Sequence, residues 1–477
     1  MRKKFFLILL ISMVALLSTN CTKPVQQAIK LEKGPQLFID DYLIADQPFI
    51  TRTVNNPTKR PDPIVKGGLD KDNQFQPYLS VLRDPDTGKF RMWYNTSIND
   101  VETHRCYLAY MESDDGINWI RPYKLLDVPN PIQFGVTVMD RGTDFENPQQ
   151  RYVFATYLKP GLRIYFSPDG LNWTSASDEP VLLHNHDITS VHWDPIRKQY
   201  FAIVSHRLDG FGDPSNQNID DRRRIPHESV SKDLIHWEKI WPIIEPKIGA
   251  PIEKGETQFY AMSGVITRGD LLIGLVKILR DDLNATYGKD GKQMGDMNRK
   301  AAGIGYTVLA WSRDGVTWQR DYEPFIPRNP VPGTFDHAMA WGDEQIIVGD
   351  KTYLYYAGYE RGHKVERFKE RHFGFASMLR DRYVSRDADF NGGSLVTKPL
   401  ILNANKITFN ANVVGDCRVR LVDENKEPIA GFGWAELEGD SVDQEVDWSN
   451  NIGSLSGATV CLEFEMKNTQ LFGFDLQ

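Results

Sequence analysis

The stretch YTVLAWSRDGVTW at Tyr306–Trp318 decides the fold because it recurs along the chain. Further copies read YLAYMESDDGINW at Tyr107–Trp119, LRIYFSPDGLNW at Leu162–Trp173 and HESVSKDLIHW at His227–Trp237, and a weaker one, HFGFASMLRD, covers His372–Asp381. Each strong copy is a run of strand formers ending in S-x-D-(G/L)-x-x-W, which predicts a strand followed by a tight turn. The aspartates of the motif are therefore predicted to be structural turn residues, and they are Asp115, Asp169, Asp233 and Asp314.

An aromatic-rich strand precedes each copy, and a further strand precedes that one. The aromatic-rich segments are KFRMWYNTS from Lys89, RYVFATYLK from Arg151, QYFAIVSHR from Gln199, DLLIGLVKIL from Asp270 and TYLYYAGYE from Thr352. Small antiparallel sheets repeated in this way are typical of a β-propeller. The predicted fold class is all-β, a five-bladed β-propeller followed by a C-terminal β-sandwich. The blades are predicted at about 74–119, 130–173, 183–237, 254–318 and 333–380.

The pattern changes near Asp387, where short alternating strands separated by Gly, Asn and Asp turns predict the β-sandwich. We therefore divide the chain into a catalytic propeller at 37–384 and a sandwich at 385–477. The segment LFIDDYLIAD, Leu37–Asp46, is expected to close the ring by joining the last blade. Cys417 and Cys461 are expected to be buried thiols, with a disulfide between them as the alternative.

The N-terminus reads as a targeting segment. Basic residues precede the apolar stretch Phe5–Leu17, and Cys21 follows at a position that resembles a bacterial lipoprotein processing site. We predict a signal peptide at 1–21, lipidation of Cys21 and a tether at 22–36, hence an exported lipoprotein anchored in the outer membrane, facing the periplasm or the cell surface. The net charge of −8 gives no basic surface for nucleic acid. The oligomeric state is left open.

Carboxylates recur at the start of the first strand of the repeats. Asp187 and Asp336 each lie seven positions upstream of an aspartate taken to end that strand, Asp194 and Asp343 respectively. Glu256 begins the corresponding strand of the fourth repeat. In a propeller these strands line the central channel, so the three carboxylates are predicted to converge at one mouth.

Converging carboxylates raise one another's pKa, which separates an acid from a base. We assign Glu256 as the general acid and let Asp187 and Asp336 share the roles of base or nucleophile and transition-state stabiliser. The alternative is that these aspartates only cap strands or bond turn amides. The predicted substrate-binding residues are Gln133, Arg207, Gln258, Tyr260, His337 and His363. No metal site or cofactor is predicted, although a central structural ion such as calcium stays open.

The repeated S-x-D-(G/L)-x-x-W endings, LFIDDYLIAD near the start and the C-terminal LFGFDL together resemble the five-bladed glycoside hydrolases of families 43 and 32, including bacterial relatives called family 32-like. The resemblance implies a glycosidase that cleaves plant or algal oligosaccharides with an Asp/Asp/Glu set. The family 32 segment W-M-N-D-P-N-G is absent, so fructan cleavage is not indicated. Two alternatives remain: a non-catalytic surface glycan-binding lipoprotein, and a glycoside phosphorylase on the same fold.

Overall fold

The computed structural model describes residues 27–66, 75–97, 105–121, 123–212, 221–247, 257–286, 301–363, 365 and 371–477. Within these residues the regular structure is β-strand apart from two short 3-10 turns, Pro148–Gln150 and Ile452–Leu455. Cys21 and the predicted signal peptide lie outside the described residues, as does Glu256. No helix in the described part of the chain is long and apolar enough to cross a membrane.

Six short strands precede the first repeat. They are β1 (Ile29–Lys30), β2 (Gly34–Leu37), β3 (Ile44–Asp46), β4 (Ile50–Val54), β5 (Thr58–Lys59) and β6 (Val65–Lys66). All of them join sheets formed by later parts of the chain.

The first three repeats each form one antiparallel sheet. Sheet 1 contains β7 (Phe75–Arg83), β8 (Phe90–Ser97), β9 (Cys106–Ser113) and β10 (Lys124–Leu126). Sheet 2 contains β11 (Phe134–Asp140), β12 (Tyr152–Leu158), β13 (Gly161–Ser167), β14 (Thr174–Ser175) and β15 (Leu182–Leu183). Sheet 3 contains β16 (Thr189–Asp194), β17 (Gln199–Leu208), β18 (Arg223–Ser231) and β19 (Trp241–Pro242).

The last two repeats share one nine-stranded sheet. We call its halves sheet 4 and sheet 5 because a single parallel bridge, Gly305 to Met339, joins them. Sheet 4 contains β20 (Thr257–Arg268), β21 (Leu271–Arg280), β22 (Ile304–Ser312) and β23 (Gln319–Arg320). Sheet 5 contains β24 (Met339–Val348), β25 (Lys351–Tyr359) and β26 (His372–Leu379), and β26 pairs with β5 and β6 at its outer edge.

The first strands of the five sheets contact one another in a closed cycle. Each of β7, β11, β16, β20 and β24 touches the first strand of the next sheet, and β24 touches β7. The core between adjacent sheets is apolar and aromatic, as the alternating strand patterns require. The sheets are therefore arranged around a common centre.

The S-x-D-(G/L)-x-x-W motifs form the predicted turns. In the first copy, Asp115 accepts hydrogen bonds from the Ser113 hydroxyl and from the backbone N–H groups of Ile117 and Asn118. The same bonds recur in the other three strong copies. The structural role predicted for these aspartates is confirmed. The third copy places Leu234 at φ 70°, where the others have glycine.

Each turn docks on the neighbouring sheet. Trp93 of sheet 1 donates its indole N–H to the carbonyl of Gly170 in sheet 2, at 2.8 Å. The Tyr355 hydroxyl of sheet 5 donates to the carbonyl of Gly116 in sheet 1, at 3.1 Å. The weak fifth copy follows the same rule, because Asp381 at its end pairs with Arg268 of sheet 4. The bond between Tyr355 and Gly116 holds the last sheet against the first.

We expect Gly116→Ala to destabilise the protein by about 2–4 kcal/mol, because it adds overpacking to an unfavourable backbone angle. Gly116 has φ 74°, and a Cβ there would lie 2.6 Å from the Tyr355 hydroxyl and 2.9 Å from Phe90. Gly349→Ala is the matched control, because Gly349 has φ 59° and open space around it. It should cost only about 1 kcal/mol. If urea unfolding showed the same loss of unfolding free energy for Gly116→Ala and Gly349→Ala, the docking role of Gly116 would be contradicted.

The C-terminal residues form a ten-stranded sheet together with strands from the N-terminus. Its later strands are β27 (Val384–Ala388), β28 (Gly393–Thr397), β29 (Leu400–Ile401), β30 (Ile407–Val422), β31 (Ala435–Gln444) and β32 (Thr459–Leu476). The expectation that Leu37–Asp46 joins the last blade is wrong, since β2 pairs with β32 and β3 pairs with β28. The strands β5 and β6, further along the chain, cover the edge of sheet 5 instead.

Two strands of this sheet, β30 and β32, are much longer than the short strands predicted for this part of the chain. β30 and β32 pair along most of their length, with register shifts between Asn410 and Ala411 and between Val413 and Asp416. The Gly-Asp step in β30 thus forms a bulge that bends the strand without ending it. Cys417 and Cys461 lie on these strands as buried, unpaired thiols, which confirms the first of the two expectations.

Candidate functional site

The antiparallel order brings particular strand ends to one edge of the ring. Where a first strand begins, the second strand of the same sheet ends and the third begins. In sheet 3 this edge carries Asp187, just before β16, and Arg224 in β18. In sheet 4 it carries Gln258 and Tyr260 in β20, with Asp281 just after β21. We call this edge of sheets 3 and 4 the mouth.

An aromatic cluster forms the centre of the mouth. The Tyr260 ring stacks on Trp341 with centroids 4.3 Å apart and meets the edge of His363 at 5.2 Å. The Tyr78 hydroxyl donates to the Tyr260 hydroxyl at 3.2 Å, so the cluster joins sheets 1, 4 and 5. Among the sequence predictions, Tyr260 and His363 are therefore brought together. Tyr78 was missed because its position on β7 reads as ordinary core.

Asp187 is held ionised beside this cluster. Its side chain is 17% exposed and contacts the His186 imidazole. Burial alone would raise its pKa, but the positive charge of Arg224, the hydrogen bond to His186 and the charge of Arg207 hold the pKa of Asp187 well below its usual range. Burial lowers the pKa of His186, so that imidazole is predominantly neutral at pH 7. Asp187 is thus a carboxylate available as a base or nucleophile.

Arg224 supplies the positive charge at the mouth. Its guanidinium lies over the Tyr260 ring, 4.8 Å from the centroid. Burial would lower its pKa, but the carboxylates of Asp187 and Asp281 keep that pKa above its ordinary value. The Nε and Nη1 groups are buried and have no hydrogen-bond partner among the described residues. The signal for this residue in the sequence was the basic run Arg222–Arg224, where the third strand of the third repeat begins.

A second carboxylate, Asp281, lies on the sheet 4 side of the mouth. The Gln258 amide donates to its Oδ2 at 3.1 Å, and His363 Nδ1 lies 3.8 Å from its Oδ1. Gln258 and His363, two of the predicted substrate-binding residues, thus lie at the mouth. Asp281 itself was missed because the sequence alignment followed only first strands, whereas this residue follows a second strand.

Asp336 has different surroundings. It is 1% exposed, and its Oδ2 accepts from Lys59 at 2.6 Å and from the Tyr356 hydroxyl at 3.1 Å. None of its described contacts is with Asp187. The alignment that equated the two residues assumed that Asp343 ends its strand, but β24 continues to Val348 past a bulge between Gly342 and Glu344. The assumption that Asp343 ends its strand is therefore wrong for the fifth repeat.

The remaining predicted binding residues divide between the mouth and the loops around it. Arg207 is exposed at the end of β17 and acts on Asp187 through its charge. The buried His337 imidazole donates from Nδ1 to the Asn329 carbonyl at 2.8 Å, within its own loop. The Gln133 side-chain carbonyl accepts the Lys159 backbone N–H at 3.0 Å, on sheet 2. The hydrogen bonds described for His337 and Gln133 are therefore local ones.

Behind the aromatic cluster, the ring centre holds a buried polar network. Lys277 contacts Asp343, which also accepts from the Ser263 hydroxyl at 2.8 Å and the Leu79 N–H at 2.5 Å. The Lys277 ammonium lies over the Tyr78 ring, 5.2 Å from its centroid. The network therefore connects sheets 1, 4 and 5 directly beneath the mouth.

Glu344, next to this ion pair, provides a pH-dependent contribution to stability. Its carboxyl accepts from the Ser80 hydroxyl at 3.0 Å, and burial, with the charge of Asp343, raises its pKa to about 8. The unfolded carboxyl titrates near pH ~4.3, so the folded protein loses stability as pH rises from about 4 to about 8. Glu344→Gln should remove this loss.

Relative to wild type, the variant should gain on the order of 4 kcal/mol of stability between pH 5 and pH 8.5. Thermal unfolding of both proteins across this range tests the expectation. Parallel stability curves would contradict it.

Comparisons with known proteins give a fold-level likeness only. No family model and no curated protein matches the chain. Among solved structures, it resembles one from the GH130 family of mannoside phosphorylases, a family described as containing glycoside hydrolases that target β-1,2 mannosidic linkages in Candida mannan. The two chains are 16% identical over 74% of this chain and 98% of that one, and the TM-score is 0.42.

A glycosyl hydrolase from Bacteroides ovatus matches at 15% identity over 74% and 98% of the two chains, with a TM-score of 0.40. An N-acetylgalactosamine deacetylase from F. plautii matches at 13% over 69% and 96%, with a TM-score of 0.41. At such scores the likeness carries no argument about function, which we derive from the mouth. Within the described residues no group of three His, Cys, Asp or Glu side chains could hold a metal ion.

Proposed function

We propose that the protein is a glycoside hydrolase that cleaves oligosaccharides at the mouth. The observation that carries the proposal is an ionised, partly buried Asp187 beside the Tyr260–Trp341 stack. Glycosidic cleavage needs an ionised carboxylate near the anomeric carbon. A surface that only captured glycans would have no need of a carboxylate kept ionised by buried positive charge.

The proposed architecture is a five-bladed β-propeller followed by a β-sandwich. The closed cycle of first strands and the turns that dock each sheet on its neighbour support the five blades. The ten-stranded sheet, which wraps its own apolar core, supports the sandwich. With the predicted lipid at Cys21, the enzyme would be anchored in the outer membrane of the cell that exports it.

In the proposed mechanism Asp187 is the base or nucleophile. Glu256, which precedes β20 directly in sequence, is the proposed general acid for the leaving oxygen. Asp336 is assigned to packing, because Lys59 and Tyr356 already bind its carboxylate. Gln258 and His363 are proposed to contact sugar hydroxyls from the sheet 4 side.

The test is release of sugar from 4-nitrophenyl glycosides and from plant and algal oligosaccharides, with and without phosphate. The protein is used without residues 1–21. Hydrolysis in phosphate-free buffer supports the proposal. Turnover that requires phosphate would make the protein a phosphorylase, and glycan binding without any release would make it a capture protein.

Glu256→Gln should lower hydrolysis of natural oligosaccharides by about 100-fold, because a general acid contributes this much when the leaving sugar is a poor leaving group. The loss should be far smaller with 4-nitrophenyl glycosides, since nitrophenolate leaves without protonation. The ratio of kcat/KM values on the two substrates is the measurement. An equal loss on both would mean that Glu256 is not the acid.

A further inference from the structure

Phe49 is an exposed aromatic residue in a strained backbone conformation. It lies at the third position of the turn Gln47–Ile50, which the Ile50 N–H closes onto the Gln47 carbonyl at 3.4 Å. Pro48 suits the second position of such a turn, whereas the third, with φ 60° here, is one that glycine normally fills. The Phe49 side chain is 85% exposed, so burial of the ring within the fold does not offset the strain. A ligand that binds the ring would account for both features.

The Phe49 turn forms part of the wall of a groove on the ten-stranded sheet. The groove has a volume of 630 Å³, within the range of about 300–1,000 Å³ that is usual for small-molecule sites. A row of paired positions crosses it on four adjacent strands, β28, β32, β30 and β31. The residues of this row, in order, are Ser394, Glu465, Arg418 and Glu436. Because paired positions on adjacent strands share a face of the sheet, these side chains present hydrogen-bonding groups side by side.

The charged side chains of the groove give it little net charge. Arg418 donates to the Glu465 carboxylate from Nε at 2.7 Å, so these two charges compensate each other. The other charged residues of the lining are Asp416, Glu436 and Lys467. The lining thus holds three carboxylates and two cations, an arrangement that does not attract an anionic polymer or an anionic lipid surface.

Uncharged groups beside Phe49 complete the lining. The Asn391 amide and the Ser394 hydroxyl both lie along the groove. A sugar ring has an apolar C–H face that can lie on an aromatic ring, and its hydroxyls both donate and accept hydrogen bonds. The open Phe49 ring and the polar row therefore match the two kinds of surface on an uncharged sugar.

We propose that this groove is a second glycan-binding site, which holds an uncharged polysaccharide against the Phe49 ring. The groove shares no residue with the mouth, so the proposal stands whether or not the mouth cleaves glycans. A polymer bound at both places would dissociate more slowly than a short oligosaccharide bound at one.

Affinity electrophoresis in native gels that contain soluble β-glucan, galactan, arabinan or mannan tests the proposal. Every protein carries Asp187→Asn, so that cleavage does not consume the polymer. We expect at least one of these polymers to retard the protein, and Phe49→Gly to raise the polymer concentration for half-maximal retardation at least about tenfold. Phe390→Ala is the matched control and should change retardation little, because Phe390 is 68% exposed but does not line the groove.

Two measurements separate loss of the ring from loss of folding. Phe49→Gly should unfold at a temperature no lower than the protein with Phe49, since glycine adopts φ 60° without strain. Phe49→Trp, which keeps an aromatic ring at this position, should retain the retardation.

Several results would overturn the inference without bearing on hydrolysis at the mouth. They are no retardation by any of the four neutral polymers, retardation that Phe49→Gly leaves unchanged, and stronger retardation by polygalacturonate than by any neutral polymer. Binding to phosphatidylcholine vesicles that needs both Phe49 and Phe390, without glycan binding, would instead make this face a membrane contact. Self-association lost in Phe49→Gly, again without glycan binding, would make it an interface between two copies of the chain.

Discussion

Asp187→Asn is expected to lower kcat by at least about 10³-fold on any glycoside that the wild type cleaves. The amide has nearly the shape of the carboxylate but can neither attack the anomeric carbon nor accept a proton from water. Since the pKa of Asp187 is held well below its usual range, the wild-type side chain is fully ionised at neutral pH, and the variant loses the whole of that charge. Single-turnover assays on a nitrophenyl glycoside measure the loss directly.

Asp336→Asn is the matched comparison, because the sequence analysis gave the two aspartates the same role while their contacts in the structure differ. This variant removes the partner of Lys59, so we expect a stability loss of about 1–3 kcal/mol with kcat within about threefold of wild type. A large loss of turnover in Asp336→Asn with retained stability would place that residue in the reaction. Retained turnover in Asp187→Asn would remove the proposed catalytic carboxylate.

The repeat was readable in the sequence because its signal is local. The turn aspartate bonds within its own seven-residue motif, so Ser113, Asp115 and Trp119 carry the pattern without help from the rest of the chain. The same holds for the alternating strands. The position of Leu37–Asp46 was not readable, because an isolated strand-like segment fits the edge of either sheet. Pairing with β28 and β32 depends on a part of the chain more than 300 residues away.

The sequence identified only some residues of the site, because the comparison of repeats followed only the first strand of each sheet. Asp187 and Tyr260 lie on or next to first strands, which the alignment followed, whereas Arg224 and Asp281 lie at the ends of other strands of the same sheets. A bulge next to Asp343 shifted the fifth repeat, and a shift of this kind leaves no mark in the pattern of apolar residues. Sequence repeats thus locate strands well but do not fix which strand ends share an edge.

Lys277→Met is expected to destabilise the protein by about 3–5 kcal/mol, because it leaves Asp343 buried without its cation. Lys277 has no exposed side-chain surface, and Asp343 is only 5% exposed. Arg418→Met, which breaks the half-exposed pair with Glu465, is the control and should cost less than about 1 kcal/mol. Urea unfolding at pH 7 gives both values.

The double variant Lys277→Met/Asp343→Asn separates loss of charge balance from loss of packing. With the uncompensated carboxylate gone, it should recover most of the stability lost in Lys277→Met. A double variant as unstable as the sum of the two single variants would show that packing dominates. Because the Lys277 ammonium lies over Tyr78, whose hydroxyl bonds Tyr260, the single variant should also loosen the aromatic cluster and raise KM. The buried ion pair would then support the site as well as the ring.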